Sequence, residues 1–113
     1  MEEQSVSGAT INMRSIIADN IEEIRSACKK HHVAELYVFG SVVGEKFNDD
    51  SDVDFIANFG EMPFLRYADN YLDFCYQLED VLNRKVDVVV GRTIKNPYFK
   101  KEVEKTRQLL FAA

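Results

Sequence analysis

Asp52 and Asp54 stand two residues apart at the head of an apolar run that ends at Phe59. Side chains two apart on a strand share a face, so this spacing presents two carboxylates together. Such a pair builds a core badly and binds a divalent cation well. Hard cations such as Mg²⁺ take oxygen ligands and commonly share them with substrate phosphates. Asp87, within Lys85-Val86-Asp87-Val88-Val89-Val90, is a third acid in an otherwise apolar strand pattern. Two acids on one strand and one on a neighbour suit a compact metal site. Upstream, Gly40-Ser41 closes the apolar run Leu36-Tyr37-Val38-Phe39, and ten residues separate the pair from Asp52. Asp49, Asp50 and Ser51 read as turn residues, whose side chains bond the nearby backbone. Taken alone, Asp52 and Asp54 also fit the wet side of a half-exposed strand. The preceding strand and Gly-Ser turn, together with the third strand-borne acid, favour the site.

These residues need elements to hold them. Residues 1–11 are small and polar and read as a loose arm, with one domain over 12–113. Ile17, Ile21, Ile24 and Cys28 recur at helical spacing and predict one amphipathic helix from Met13 to about His32. Glu35 to Phe39 reads as a first strand, Asp52 to Phe59 as a second and Lys85 to Val90 as a third. Gly40 and Ser41 begin a turn or short helical segment through Lys46. Leu65, Ala68, Leu72, Cys75, Leu78 and Leu82 mark a long helix from about Phe64 to Asn83, with Tyr67, Tyr71, Phe74 and Tyr76 read mainly as packing residues. Asn96 suits an N-cap with Pro97 at the first helical position, ahead of a charged helix to about Lys105. Leu109 to Ala112 is a candidate edge strand. The order implies an α/β fold, a mixed sheet of three or four strands covered by helices.

The chain has 113 residues, 46% hydrophobic and 29% charged, with a net charge of −5. This is the composition of one globular domain with a modest core. No stretch approaches the roughly 20 apolar residues of a membrane span. The acidic start Met1-Glu2-Glu3-Gln4 has no apolar signal core, so the expected compartment is the cytoplasm. The acidic balance argues against a large nucleic-acid surface. It still permits a nucleotide bound through a metal, which supplies the missing positive charge. Cys28 and Cys75 read as reduced apolar residues. His31-His32 ends the first helix, where a C-terminal charge is the simple reading.

Phe39-Gly40-Ser41, Ser51-Asp52-Val53-Asp54-Phe55 and Val86-Asp87-Val88 together resemble the minimal nucleotidyltransferase domains of the polymerase-β superfamily. Lys95-Asn96-Pro97-Tyr98-Phe99 and the charged helix after it are similar too. The resemblance implies a polymerase-β-like nucleotidyltransferase fold and transfer of AMP from ATP, with Mg²⁺ or Mn²⁺. It implies that Asp52, Asp54 and Asp87 are the metal-holding catalytic acids. Gly40 would let the backbone approach the phosphates, and Ser41 would donate to them. It further implies a helical HEPN-domain partner, the toxin of a toxin–antitoxin pair, modified on a tyrosine. A homo-oligomer is compatible with this reading. Many members carry an arginine four residues after the glycine; here that position is Gly44, and Lys46 is a point charge rather than a bidentate fork. The alternative from another class is therefore a binding module, an antitoxin that neutralises its partner by contact.

Overall fold

The computed structural model describes residues 13–39 and 53–113. The elements run α1 (Met13–Asp19), α2 (Ile21–Lys30), β1 (Val33–Phe39), β2 (Val53–Phe59), α3 (Phe64–Leu82), β3 (Val86–Val90), a 3-10 turn (Gly91–Thr93), α4 (Pro97–Thr106) and β4 (Gln108–Ala112). The strands form one sheet in the order β3-β2-β1-β4. β1 pairs antiparallel with β2 and β4, and β2 pairs parallel with β3. A parallel neighbour needs a crossover connection, and the 19 residues of α3 supply it. The expected mixed sheet is present with four strands.

Alternation along the strands divides the apolar residues between the two sheet faces. Leu36, Val38, Val53, Phe55, Ala57 and Val88 point to the face packed by Ile24, Ala27 and Cys28 of α2 and Phe74, Leu78 and Leu82 of α3. Tyr37, Phe39, Ile56 and Val89 point the other way, where Val103 of α4 and Ile94 cover them. One face is thus a thick core. The other carries a small cluster under a helix of which Val103 is the only buried residue.

The single helix expected over 13–32 is two helices, broken at Asn20. The Asn20 carboxamide donates to the Ile16 carbonyl at 2.8 Å and its backbone N–H donates to Ile17 O at 3.1 Å. Asparagine competes for the backbone in this way and so favours helix ends. The apolar rhythm hides the break, because Ile17 and Ile24 sit on opposite sides of it in the same core. At the far end of α2, His31 is not a solvent-facing helix charge. It is buried and tied to α3. Asn70 Nδ2 donates to His31 O at 2.7 Å, which turns Asn70 Oδ1 toward His31 Nδ1 at 3.3 Å. Its other ring nitrogen, Nε2, lies 2.8 Å from Gln77 Oε1, so both edges of the ring are tied to α3.

The remaining helix ends follow their sequence signals. Asn96 caps α4, its side chain accepting from Tyr98 N at 2.9 Å and Phe99 N at 3.2 Å. Asn83 ends α3 in the left-handed region, φ 55°. Gly91 is demanded by contact: a Cβ there would collide with the Asn58 carboxamide, which is held by Glu35 at 3.1 Å. Gly91→Ala should therefore cost about 1–3 kcal/mol in a denaturant titration, the usual penalty for overpacking. A neutral result would mean that the Asn58–Glu35 bond is dispensable.

Cys28 and Cys75 are free thiols. Burial pushes the Cys28 thiol up to about 12 from an ordinary 9.0. The unfolded thiol ionises first as pH rises, so the stability from Cys28 is complete below about 9 and lost progressively toward 12. Cys28→Ala should flatten this alkaline limb, measured as ΔG of unfolding against pH, by up to about 4 kcal/mol between its ends. An unchanged slope in the variant would assign the limb to other groups.

Candidate active site

The end of β1 at Phe39 lies beside Asp54 of β2, and Asp54 lies beside Asp87 of β3. These three form one row across the sheet. Register partners share a face, and neighbouring strands are about 4.8 Å apart. The two acids thus project together on the thinly covered face, one row beyond Ile56 and Val89. Parallel pairing through the α3 crossover makes this neighbourhood. A register shift of one residue would send Asp87 to the opposite face.

The environments of the two acids differ. Asp54 is half-buried and Asp87 is exposed, on a strand at the edge of the sheet. Phe39 anchors the row by an edge-on contact with Phe99 of α4, ring centroids 5.7 Å apart. Asn96 and Pro97 start α4, so Phe99 lies in its first turn and brings that end of the helix to the row. Sequence patterning assigned Phe39 only to a strand. Its role as the packing neighbour of the acids follows from the register. Behind the sheet, Tyr71 donates its hydroxyl to Val88 O, the carbonyl next to Asp87. Burial first, then Cys75 and the negative charge of Asp87, push the Tyr71 phenol up to about 12. Tyr71 thus stays a neutral donor and fixes β3 where it carries Asp87.

Of the five residues expected to form the site, the structure brings Asp54 and Asp87 together. Gly40, Ser41 and Asp52 lie outside the described residues, as do Gly44 and Lys46. Gly40 directly follows Phe39 and Asp52 directly precedes Val53, so the chain leaves and re-enters the sheet at the end marked by the acids. Among the described residues no group of three or more His, Cys, Asp or Glu is placed to share a cation. The described donor set is two carboxylates side by side, hard oxygen ligands with one solvent-facing member. This chemistry fits Mg²⁺ or Mn²⁺ shared with a phosphate substrate.

A cavity of about 540 Å³ lies elsewhere, lined by residues including Lys30, His31, His32, Arg66 and Asn70. It adjoins the opposite end of the sheet, where Val33 pairs with Phe59. Its histidine is already engaged with Asn70 and Gln77, and the paired acids do not line it. No described helix is long and apolar enough to cross a membrane.

Comparison with known proteins agrees with the geometry. A protein adenylyltransferase, MntA of Thermococcus cleftensis, is 34% identical over 89 residues, 74% of this chain and 87% of that protein. A solved structure assigned to the minimal nucleotidyltransferases superposes with a TM-score of 0.69 at 27% identity, covering 89% of this chain and 98% of its own. An MNT antitoxin complexed with a tri-AMPylated HEPN toxin, from Shewanella oneidensis, shares the fold with a TM-score of 0.59 at 16% identity, covering 85% and 72%. The mixed four-stranded sheet with its helices is the fold of the minimal nucleotidyltransferases. The nucleotidyltransferase domain family matches residues 21–110, most of the chain, and the chain belongs to that family.

Proposed function

We propose that this chain transfers AMP from ATP to a hydroxyl of a HEPN-domain protein, a tyrosine, and acts by that transfer as the antitoxin of a pair. The observation that carries the reading is the cross-strand pairing of Asp54 with Asp87. The adenylyltransferase and the AMPylated complex among its relatives support it.

Asp52, Asp54 and Asp87 would hold Mg²⁺ or Mn²⁺. When bound, the metal offsets charge on the phosphates and on the attacking and leaving oxygens. The acceptor oxygen attacks the α-phosphorus, the bond to pyrophosphate breaks, and AMP remains as an ester on the acceptor. Asp87 is the exposed member of the pair. It orients the entering hydroxyl and takes up its proton. Asp54, half-buried against the row of Phe39, holds the nucleotide side in place. Gly40 leaves room for the phosphates to meet backbone. Ser41 donates to the terminal phosphates.

Intact-mass spectrometry of the HEPN partner, incubated with this chain, ATP and Mg²⁺, tests the proposal. The expected result is one or more added AMP groups, absent with chelator. Gly44 in place of an arginine favours one competitor, neutralisation by contact. An unmodified partner that is still neutralised by an Asp54→Ala/Asp87→Ala variant would establish that competitor and end the transfer reading.

A further inference from the structure

Lys85 directly precedes β3 and extends its pairing by one residue. The Lys85 carbonyl accepts from Val53 N at 3.1 Å, the first rung of the parallel ladder between β2 and β3. The other side of the same peptide unit is held as well: Val86 N donates to the Glu79 carboxylate of α3 at 3.4 Å. The Lys85 side chain therefore starts from a fixed point. Alternation sends it to the face of Asp87, two residues on and about 7 Å away along the strand. Burial agrees: Lys85 and Asp87 are exposed, while Val86 between them packs against the core of the other face. The step from Asp87 to Lys85 leads off the sheet at the end where β1 stops and β2 starts.

We propose that Lys85 binds the β- and γ-phosphates of ATP and offsets the charge of the leaving pyrophosphate. This rests on the transfer reading and names a residue that holds its substrate. Charge gives the reason. None of the four strands contains Lys or Arg. From Gly40 to Asp52 the sequence sets Lys46 against Glu45, Asp49, Asp50 and Asp52. A metal on the acids offsets only part of the charge of a triphosphate, and Lys85 is a cation on the acid face beside them. Among the described residues Lys85 has no ion-pair partner, so its ammonium is open to an anion. Position gives the subsite. The acids hold the metal and with it the reacting phosphate. Lys85 stands one strand repeat beyond Asp87, where the following phosphates extend. Its compact charge, three donors and flexible stem suit a phosphate group that moves as it departs. As the acceptor oxygen bonds to the α-phosphorus, the bond to the bridging oxygen breaks and its electron pair leaves with pyrophosphate. The hydroxyl proton goes to Asp87, and Lys85 stays charged throughout.

Calorimetry of ATP and AMP binding in Mg²⁺ tests this on Lys85→Ala, Lys85→Arg and Lys29→Ala. Lys29 is an exposed cation in the last turn of α2, a helix on the other sheet face, and controls for net charge. Lys85 is exposed, so its variants should fold, and circular dichroism checks this. Lys85→Ala should weaken ATP binding by about tenfold to a hundredfold, the scale of one charge-assisted hydrogen bond, and AMP binding by less than about twofold. Lys85→Arg should recover most of the loss, and Lys29→Ala should bind ATP as the parent does. Unchanged ATP affinity in Lys85→Ala overturns the inference even if AMP is transferred, and leaves Lys85 as a charge that guards an edge strand. Equal losses for ATP and AMP overturn it as well, because the lysine would then serve the fold or the α-phosphate. A matching loss in Lys29→Ala overturns it by assigning the effect to net charge. The expected pattern, with no AMP transferred to the HEPN partner by the parent, keeps the phosphate contact and removes the transfer reading. A parent that binds no ATP removes both.

Discussion

Asp54→Asn should lower AMP transfer to the HEPN partner by on the order of a thousandfold, the scale of losing a preorganised electrostatic contact to developing charge. Asparagine keeps the size of the side chain and removes the negative charge that attracts a cation. Asp87→Asn should be as severe in turnover and opposite in sign for stability. Asp87 lies directly across from Asp54, and like charges in that position destabilise a sheet. Without metal, Asp87→Asn should therefore melt slightly above the parent, while its transfer rate collapses. This opposition separates a functional acid from a structural one. A rate within tenfold of the parent in either variant would remove the acid pair from the mechanism. A fall in the metal-free melting temperature of Asp87→Asn would show that the carboxylate supports the fold instead.

The legible part of this chain was local. Short apolar runs marked β1, β2 and β3, and a stripe at three and four residues marked α3 from Phe64 to within a residue of its end. Asn96 and Pro97 marked the start of α4, because a cap and a preset φ are properties of single residues. Asp54 and Asp87 were conspicuous as acids in apolar strands. That they are neighbours was not legible, since it depends on which strands pair and in what register. The Asn20 break was hidden because both helices bury one continuous apolar stripe. His31 looked like a solvent charge because nothing near it in the chain names Asn70 or Gln77, 39 and 46 residues away. Family resemblance supplied what periodicity could not, by joining Gly40, Ser41 and Asp52 to Asp54 and Asp87 as one set.

Phe74→Ala should cost about 3–5 kcal/mol, the usual loss when a buried phenylalanine leaves a cavity. Phe74 is fully buried between α3 and the sheet. Its ring meets Phe59 edge-on at 5.8 Å and lies 5.8 Å from the His31 imidazole. It thus touches both β2, which carries Asp54, and the histidine that joins α2 to α3. Relaxation into the space is limited because Asn70 and Gln77 hold His31 in place. A single domain has roughly 5–15 kcal/mol to lose, so the variant should unfold at much lower denaturant with an unchanged m-value. Tyr76, two residues on, is the control. Tyr76 is 63% exposed, and Tyr76→Ala should change stability by less than about 0.5 kcal/mol. Denaturant titration of the pair tests which side of α3 faces the sheet. A Phe74→Ala loss below about 1 kcal/mol, or a Tyr76→Ala loss as large as that expected for Phe74, would mean α3 is rotated about its axis. Leu65, Leu72 and Tyr76, exposed here, would then belong to the core.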